Sequence, residues 1–199
     1  MNVLVMQMTL RSRGMELPVF AGSVWHGGLG CQLNRVAPTA FACLYQVSDE
    51  ARLYSFIPPE GGHWPPGQDR VLQLSLFGPA CDHAMAVLQA VAELGDVGLR
   101  PGGKFVVEAV HTLTPDGQPL QTIFTSARGL LTLPVACDFT PAWASVHQQA
   151  LSQPADVLLQ WRSPVRIKEQ NIQLHQAPSC LQLLRRTLGR VEQLAFACN

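Results

Sequence analysis

The stretch FAGSVWHGGLG, residues 20–30, sets one titratable ring, His26, between Trp25 and a pair of glycines. Histidine changes charge close to neutral pH, with an unperturbed pKa of ~6.5. Three roles are therefore open at this position: moving a proton, meeting a phosphate, or filling the start of a helix. The other histidines, His63, His83, His111, His147 and His175, are scattered, and none makes an HxxxH or HxH pair. That spacing would put two imidazoles on one metal ion, so a metal site is not expected. Six cysteines are equally dispersed, with no CxxC pair, and read as mostly buried, reduced thiols. There is no GxSxG nucleophile turn. No cofactor is expected.

The cations carry the second chemical signal. GLRPGGKF, residues 98–105, nearly matches a phosphate loop, but Phe105 stands where a magnesium-binding hydroxyl belongs. The order is also helix-loop-strand, the reverse of that motif, so nucleotide hydrolysis is excluded. Such a loop can still approach an RNA backbone, with Arg100 and Lys104 as donors. In WRSPVRIKE, residues 161–169, a strand puts Arg162, Arg166 and Lys168 on one face. In LLRRTLGR, Arg186 and Arg190 lie one helical turn apart, with Arg185 beside them. Up to residue 155 there are 8 basic and 11 acidic residues, and from 156 onward 6 basic and 3 acidic. A basic C-terminal part on a chain of zero net charge fits one structured RNA site better than an unspecific basic coat. Arginine, which makes up 12 of the 14 cations, is the better fork for phosphates.

The elements that must position these groups follow from periodicity. Hydrophobic residues make up 47% of the 199 and charged residues 14%, which marks a folded chain with extra surface to bury against partners. Residues 2–11 read as a strand, 21–36 as a helix opening at Ser23, and 54–59 as a short strand stopped by prolines. The turn-rich 60–69 is a hairpin excursion, and 71–79 is a strand ended at Gly78-Pro79. A helix then runs from Cys81 to a C-cap at Gly95, followed by a strand from Lys104 and a turn at TPDGQ into QTIFT. That order, β-α-β-β-α-β, is the ferredoxin-like split βαβ unit of an α+β protein. Residues 129–155 are less regular. A bent strand pair follows, turning near Glu169-Gln170-Asn171, and a final helix begins at Pro178-Ser179. The expected domains are 1–128, ferredoxin-like, and 129–199, a partial second copy. No apolar run approaches the ~20 residues of a membrane span, and the N-terminus lacks signal-peptide features. A cytoplasmic protein is expected.

Taken in order, FAGSVWHGGLGCQL, FACLYQ, VLQLSLFGPA, GDVGLRPGGKFVV, LLQWRSPVRIKE and LLRRTLGRVEQL resemble the CRISPR-associated RAMP-type endoribonucleases that process precursor CRISPR RNA. The resemblance covers roughly residues 18–195. It implies tandem ferredoxin-like (RRM-like, RAMP) domains, the second incomplete in this chain, gripping the stem-loop of a CRISPR RNA (crRNA) repeat. It also implies metal-independent cleavage, in which a ribose 2′-hydroxyl attacks the adjacent phosphorus. His26, with Arg11, Arg13 and Tyr45, is then the candidate catalytic set. Arg100, Lys104, Arg162, Arg166, Lys168, Arg185, Arg186 and Arg190 are the candidate RNA contacts. Relatives commonly have arginine where His26 stands, and Ser163 replaces their usual threonine. Divergent type IV members stay on their product as a subunit of the effector complex, which makes other CRISPR effector subunits expected partners. The alternative is a catalytically inert subunit that only binds the hairpin.

Overall fold

The computed structural model describes residues 1–46, 52–99, 103–141, 144, 148, 168–169, 172–173 and 177–198. Strand β1 (Asn2–Ser12) alternates between two environments: Leu4, Met6, Met8 and Leu10 are buried, while Gln7, Thr9 and Arg11 are not. A strand presents successive residues to opposite faces, so β1 has a helix-covered face and an open face. The next elements are β2 (Met15–Leu17), helix α1 (Gly22–Val36), helix α2 (Pro38–Tyr45), β3 (Tyr54–Ile57), β4 (Gly62–Trp64) and β5 (Asp69–Phe77). A 3-10 turn (Gly78–His83) leads into α3 (Ala84–Val97). Then come β6 (Phe105–Leu113), β7 (Pro119–Thr125), β8 (Leu130–Leu131) and β9 (Cys137–Asp138).

The main sheet has the order β3-β5-β1-β6-β7-β8, with β9 pairing the first residues of β1, and every pairing is antiparallel. Its first four strands, β3-β5-β1-β6, are the ferredoxin-like arrangement that the element order implies. A parallel β1 and β3 are split by β5, and α1 and α3 cover one face. Trp25, Leu29 and Leu33 of α1 and Val87, Ala90, Val91 and Leu94 of α3 share one core with the inward residues of β1 and β5. Burying each such side chain is worth roughly 1.5–3 kcal/mol.

Several boundaries differ from the sequence expectation. Helix α1 opens at Gly22 with no side-chain cap, because Ser23 already lies inside the first turn. Helix α2 is an addition to the expected order; Pro38 starts it, at the position where a missing N–H costs nothing. Helix α3 passes through Gly95 and ends before Gly98, whose positive φ of 97° favours glycine. Gly95 matters for packing: a Cβ there would run into the Phe105 carbonyl oxygen, so only glycine lets β6 lie this close to the helix. The cysteines are less buried than expected, with Cys31 and Cys180 exposed and the others half-buried.

Beyond residue 141, β10 (Lys168–Glu169) and β11 (Ile172–Gln173) pair antiparallel, while the rest of the expected strand pair lies outside the described residues. The last helix, α4 (Cys180–Ala197), starts at a capping box in which Ser179 and Gln182 satisfy each other's backbone N–H groups. Its final turns dock on the first unit: Leu194 is buried in the main core, with Ala197 and Cys198 packed against it. Leu181, Leu184, Leu188 and Val191, farther up the helix, are exposed. No helix among the described residues is long and apolar enough to cross a membrane.

Candidate active site

His26 occupies the second turn of α1, not its start, so its own backbone N–H is inside the helix. Its ring enters a group of aromatics built from three elements. Phe41 and Tyr45 on α2 stack with centroids 5.3 Å apart, and Tyr45 continues to Tyr54 of β3 at 5.2 Å. Tyr54 and Phe56 sit at spacing two on β3, which puts both on the helix-covered face. His26 lies 4.8 Å from the Tyr45 ring, and the Tyr45 hydroxyl donates to the His26 carbonyl oxygen at 2.9 Å.

The glycines beside His26 serve this packing. A Cβ on Gly30 would lie 2.7 Å from the Tyr45 ring, and one on Gly28 would lie 3.0 Å from Leu94 and 3.2 Å from Leu99. Gly30 therefore admits the tyrosine that stacks on His26, and Gly28 admits α3 and the base of the glycine loop.

Arg52, just ahead of β3, places a guanidinium nitrogen 3.1 Å from His26 Nε2. A guanidinium has hydrogens to give and no acceptor, so Nε2 accepts and the ring proton belongs on Nδ1. The imidazole is thus neutral. Its pKa is lowered from the usual value by burial first and by the Arg52 charge second. Arg190 of α4 reaches the same place, donating to the Arg52 carbonyl oxygen. Burial, then Arg52, lowers the pKa of the Arg190 guanidinium as well. Among the described residues, no carboxylate lies within 4.0 Å of either arginine. Burial pushes the Tyr45 hydroxyl far above its ordinary range, so it stays protonated.

The remaining expected residues are distributed elsewhere. Arg11 is on the open face of β1, across the sheet from α1, and is fully engaged. It makes a two-pronged bond to Asp69 at 2.8 and 3.0 Å and an ion pair with Glu108 at 3.1 Å. Glu108 is the extra residue where the β1–β6 register shifts, a bulge that sends its carboxylate toward Arg11. Arg13 lies past the end of β1 and donates its backbone N–H to the Lys104 carbonyl at 2.9 Å, which sets two exposed cations side by side. The Leu99 N–H closes the loop base on the Gly103 carbonyl at 3.0 Å. Arg185 and Arg186 are exposed on α4. Arg100, Arg162 and Arg166 lie outside the described residues, and Lys168 is described only as part of β10. Of the four candidate catalytic residues, the structure therefore brings together His26 and Tyr45, and leaves Arg11 and Arg13 apart from them.

Sequence reasoning missed Arg52, Tyr54 and Phe56. The alternation in RLYSF was the available signal, since it aligns the two aromatics on one face, but nothing local says that this face meets α1.

A family model described as AF_1859_N, an N-terminal domain, matches residues 49–135. Two solved structures align over 100% of the chain at 16% identity with a TM-score of 0.59: a partial Cas6-RT-Cas1–Cas2 complex and the fuller Cas6-RT-Cas1–Cas2 complex. By fold, the chain is similar to Cas6 proteins. A Cas6 product complex aligns over 55% of the chain at 21% identity, but its TM-score of 0.40 is too low to argue from. The chain spans 40% of the Cas6 product-complex chain and 33% and 21% of the other two. No curated protein gives a significant match.

Proposed function

We propose that the chain is a metal-independent endoribonuclease that cleaves precursor CRISPR RNA at the repeat hairpin and stays on the 3′ stem-loop as a subunit of a type IV effector complex. The observation that carries this reading is the neutral His26 imidazole beside Arg52, a guanidinium with no carboxylate partner among the described residues. Attack of a ribose 2′-hydroxyl on the adjacent phosphorus needs a base for the hydroxyl proton and a cation for the charge that builds on the phosphorane. His26 Nε2 takes the 2′-hydroxyl proton and Arg52 meets the charge. The bond from phosphorus to the 5′ oxygen breaks, that oxygen takes a proton from solvent, and the products are a cyclic phosphate and a 5′-hydroxyl. The exposed Arg185 and Arg186, with Arg13 and Lys104 at the loop base, supply phosphate contacts along the stem. The sites on Arg100, Arg162, Arg166 and Lys168 belong to the same proposal, as does a division into domains 1–128 and 129–199. The Cas6-type fold and the exposed apolar row on α4 support assembly with other CRISPR effector subunits.

Incubating a repeat hairpin with the protein in EDTA tests this directly. The expected result is a cyclic-phosphate product whose rate drops ~10²–10⁴-fold in His26→Ala, the usual worth of a general base. Unchanged cutting by that variant removes the assignment. One observation favours the second reading, an inert hairpin-binding subunit: among the described residues near His26, no group is poised to protonate the leaving oxygen, because Tyr45 is held to the His26 carbonyl and has its pKa raised. Tight hairpin binding with no product in any buffer would decide for it.

A further inference from the structure

Arg52 and Arg190 are 138 positions apart in the chain, yet the Arg190 guanidinium donates to the Arg52 backbone carbonyl, and neither charge is compensated by a described carboxylate. Asp49 and Glu50 lie outside the described residues. Neighbouring like charges raise each other's energy. Arg190 is half-buried and donates to a backbone carbonyl rather than an acid; burial first and the Arg52 charge second lower its pKa. At the same time, Arg52 occupies the one lone pair of His26 that a proton could use. Without a ligand, the base is capped by its own neighbour.

We propose that Arg52 and Arg190 form an oxyanion site for an RNA phosphodiester, and that filling it draws Arg52 off His26 Nε2 and frees that nitrogen. A phosphate oxygen pair matches a guanidinium fork, and an anion between two forks turns their repulsion into two attractions. Because Arg190 sits on α4 and Arg52 precedes β3, the bound phosphate also ties the last helix to the first unit, adding to the anchor of Leu194. The base is therefore exposed when a phosphate is present and covered when it is not. The anion site shares His26 with the nuclease reading but requires no cleavage.

The groups facing His26 are Arg52 from the loop, Tyr45 from α2 and Tyr54 from β3, with Arg190 of α4 behind Arg52. Both tyrosines have raised pKa values and are neutral near pH 7, so among the described groups the arginines set the local charge. Withdrawing a cation and adding an anion both favour the imidazolium. Inorganic phosphate, titrated into the full chain at ionic strength held constant with chloride, should raise the His26 pKa, read from its imidazole nitrogen shifts by NMR. It should also slow amide exchange across residues 180–198 several-fold. In Arg52→Gln the His26 pKa should start higher and phosphate should no longer move it; in Arg190→Gln the response should need at least tenfold more phosphate. Arg52→Lys and Arg190→Lys, which keep the charge, should keep part of the response and guard against a folding defect. If phosphate leaves His26 and α4 of the wild-type chain unchanged, or acts equally on the doubly substituted Gln variant, the site does not exist. Phosphate coupling without hairpin cleavage would leave the anion site standing and remove the nuclease; cleavage without coupling would do the reverse.

Discussion

Arg11 and Arg52 are both exposed arginines beside the core of one sheet, yet their surroundings differ in the feature that decides function. Arg11, on the open face, is held by Asp69 and Glu108, and each acid is positioned by strand register. Arg52, on the helix side, faces an imidazole and a second arginine, with no described acid in reach. The first arrangement already satisfies its charge and has little to offer a phosphate. The second is costly without a ligand and becomes favourable with one. A cation therefore marks a site only when its counter-charge is missing, which a sequence does not show and a structure does.

The largest expected effect breaks this comparison at its centre. Arg52→Gln should lower hairpin cleavage roughly 10²-fold, the usual loss for one donor to a developing oxyanion. Arg11→Gln should stay within about twofold of wild type in the same single-turnover assay, because its partners, the exposed Asp69 and the half-buried Glu108, lie on the far face of the sheet from His26 and such surface pairs contribute little. Equal losses in the two variants would mean that Arg11 also touches RNA and that the open face belongs to the site.

The same pair can be sharpened through pH. His26 acts as a base only when neutral, and its pKa is depressed, by burial first and Arg52 second. At subsaturating RNA, where the rate reports the unliganded chain, cleavage should therefore be flat above pH ~7 and fall only as pH drops through a value below the ordinary ~6.5. Removing Arg52 takes away one lowering cause, so the acid limb should move to higher pH in Arg52→Gln, toward the ordinary histidine value. In Arg11→Gln the limb should not move. A limb that is unchanged in Arg52→Gln at subsaturating RNA would show that the two groups are uncoupled in the unliganded chain.

Much of the fold was legible because it rests on periods that a sequence displays. Alternation along residues 2–11 and helical spacing through residues 84–94 each follow from burial of one face, and these elements lie where that pattern puts them. Boundaries set by contacts from elsewhere were not legible. Gly95 looks like a helix stop in the chain, but in the fold it is the gap through which β6 passes. The site divides in the same way. His26 and Tyr45, singled out from residue type and local context, lie side by side, whereas grouping Arg11 with His26 ignored that alternation sends Arg11 to the far face. Arg52 meets His26 across 26 positions, and Arg190 meets Arg52 across 138, so neither pairing leaves a local signal.

The glycines of α1 give a smaller but sharper contrast, because two of them lie on one helix with opposite surroundings. Gly27 has open space where a Cβ would stand, so Gly27→Ala should gain up to ~1 kcal/mol from helix propensity. Gly30 faces the Tyr45 ring at 2.7 Å, so Gly30→Ala sets the same gain against a clash whose typical cost is ~1–3 kcal/mol. Urea denaturation should therefore show Gly27→Ala more stable than wild type and Gly30→Ala less stable. Pushing Tyr45 away should also disturb the His26 ring that lies 4.8 Å from it, so Gly30→Ala should lose cleavage beyond its loss of stability. If both variants gain stability, Tyr45 moves freely, and the aromatic stack is not what holds His26.

The smallest effect concerns the exposed cations of α4. Arg185 and Arg186 are exposed, whereas Arg190 reaches the Arg52 backbone beside His26. Replacing either with Gln should weaken hairpin binding modestly and uniformly across hairpin sequences, and should reduce the slope of log affinity against log salt by about one. The cleavage rate of bound RNA should hold, since the proton steps are elsewhere. Arg190→Gln should differ in kind: alongside weaker binding it should slow the bound complex, because its charge acts on Arg52 at the reacting phosphate. If all three arginines change only the salt slope, Arg190 is one more stem contact, and the distinction between cations with and without a described acid partner reduces to Arg11 against Arg52 alone.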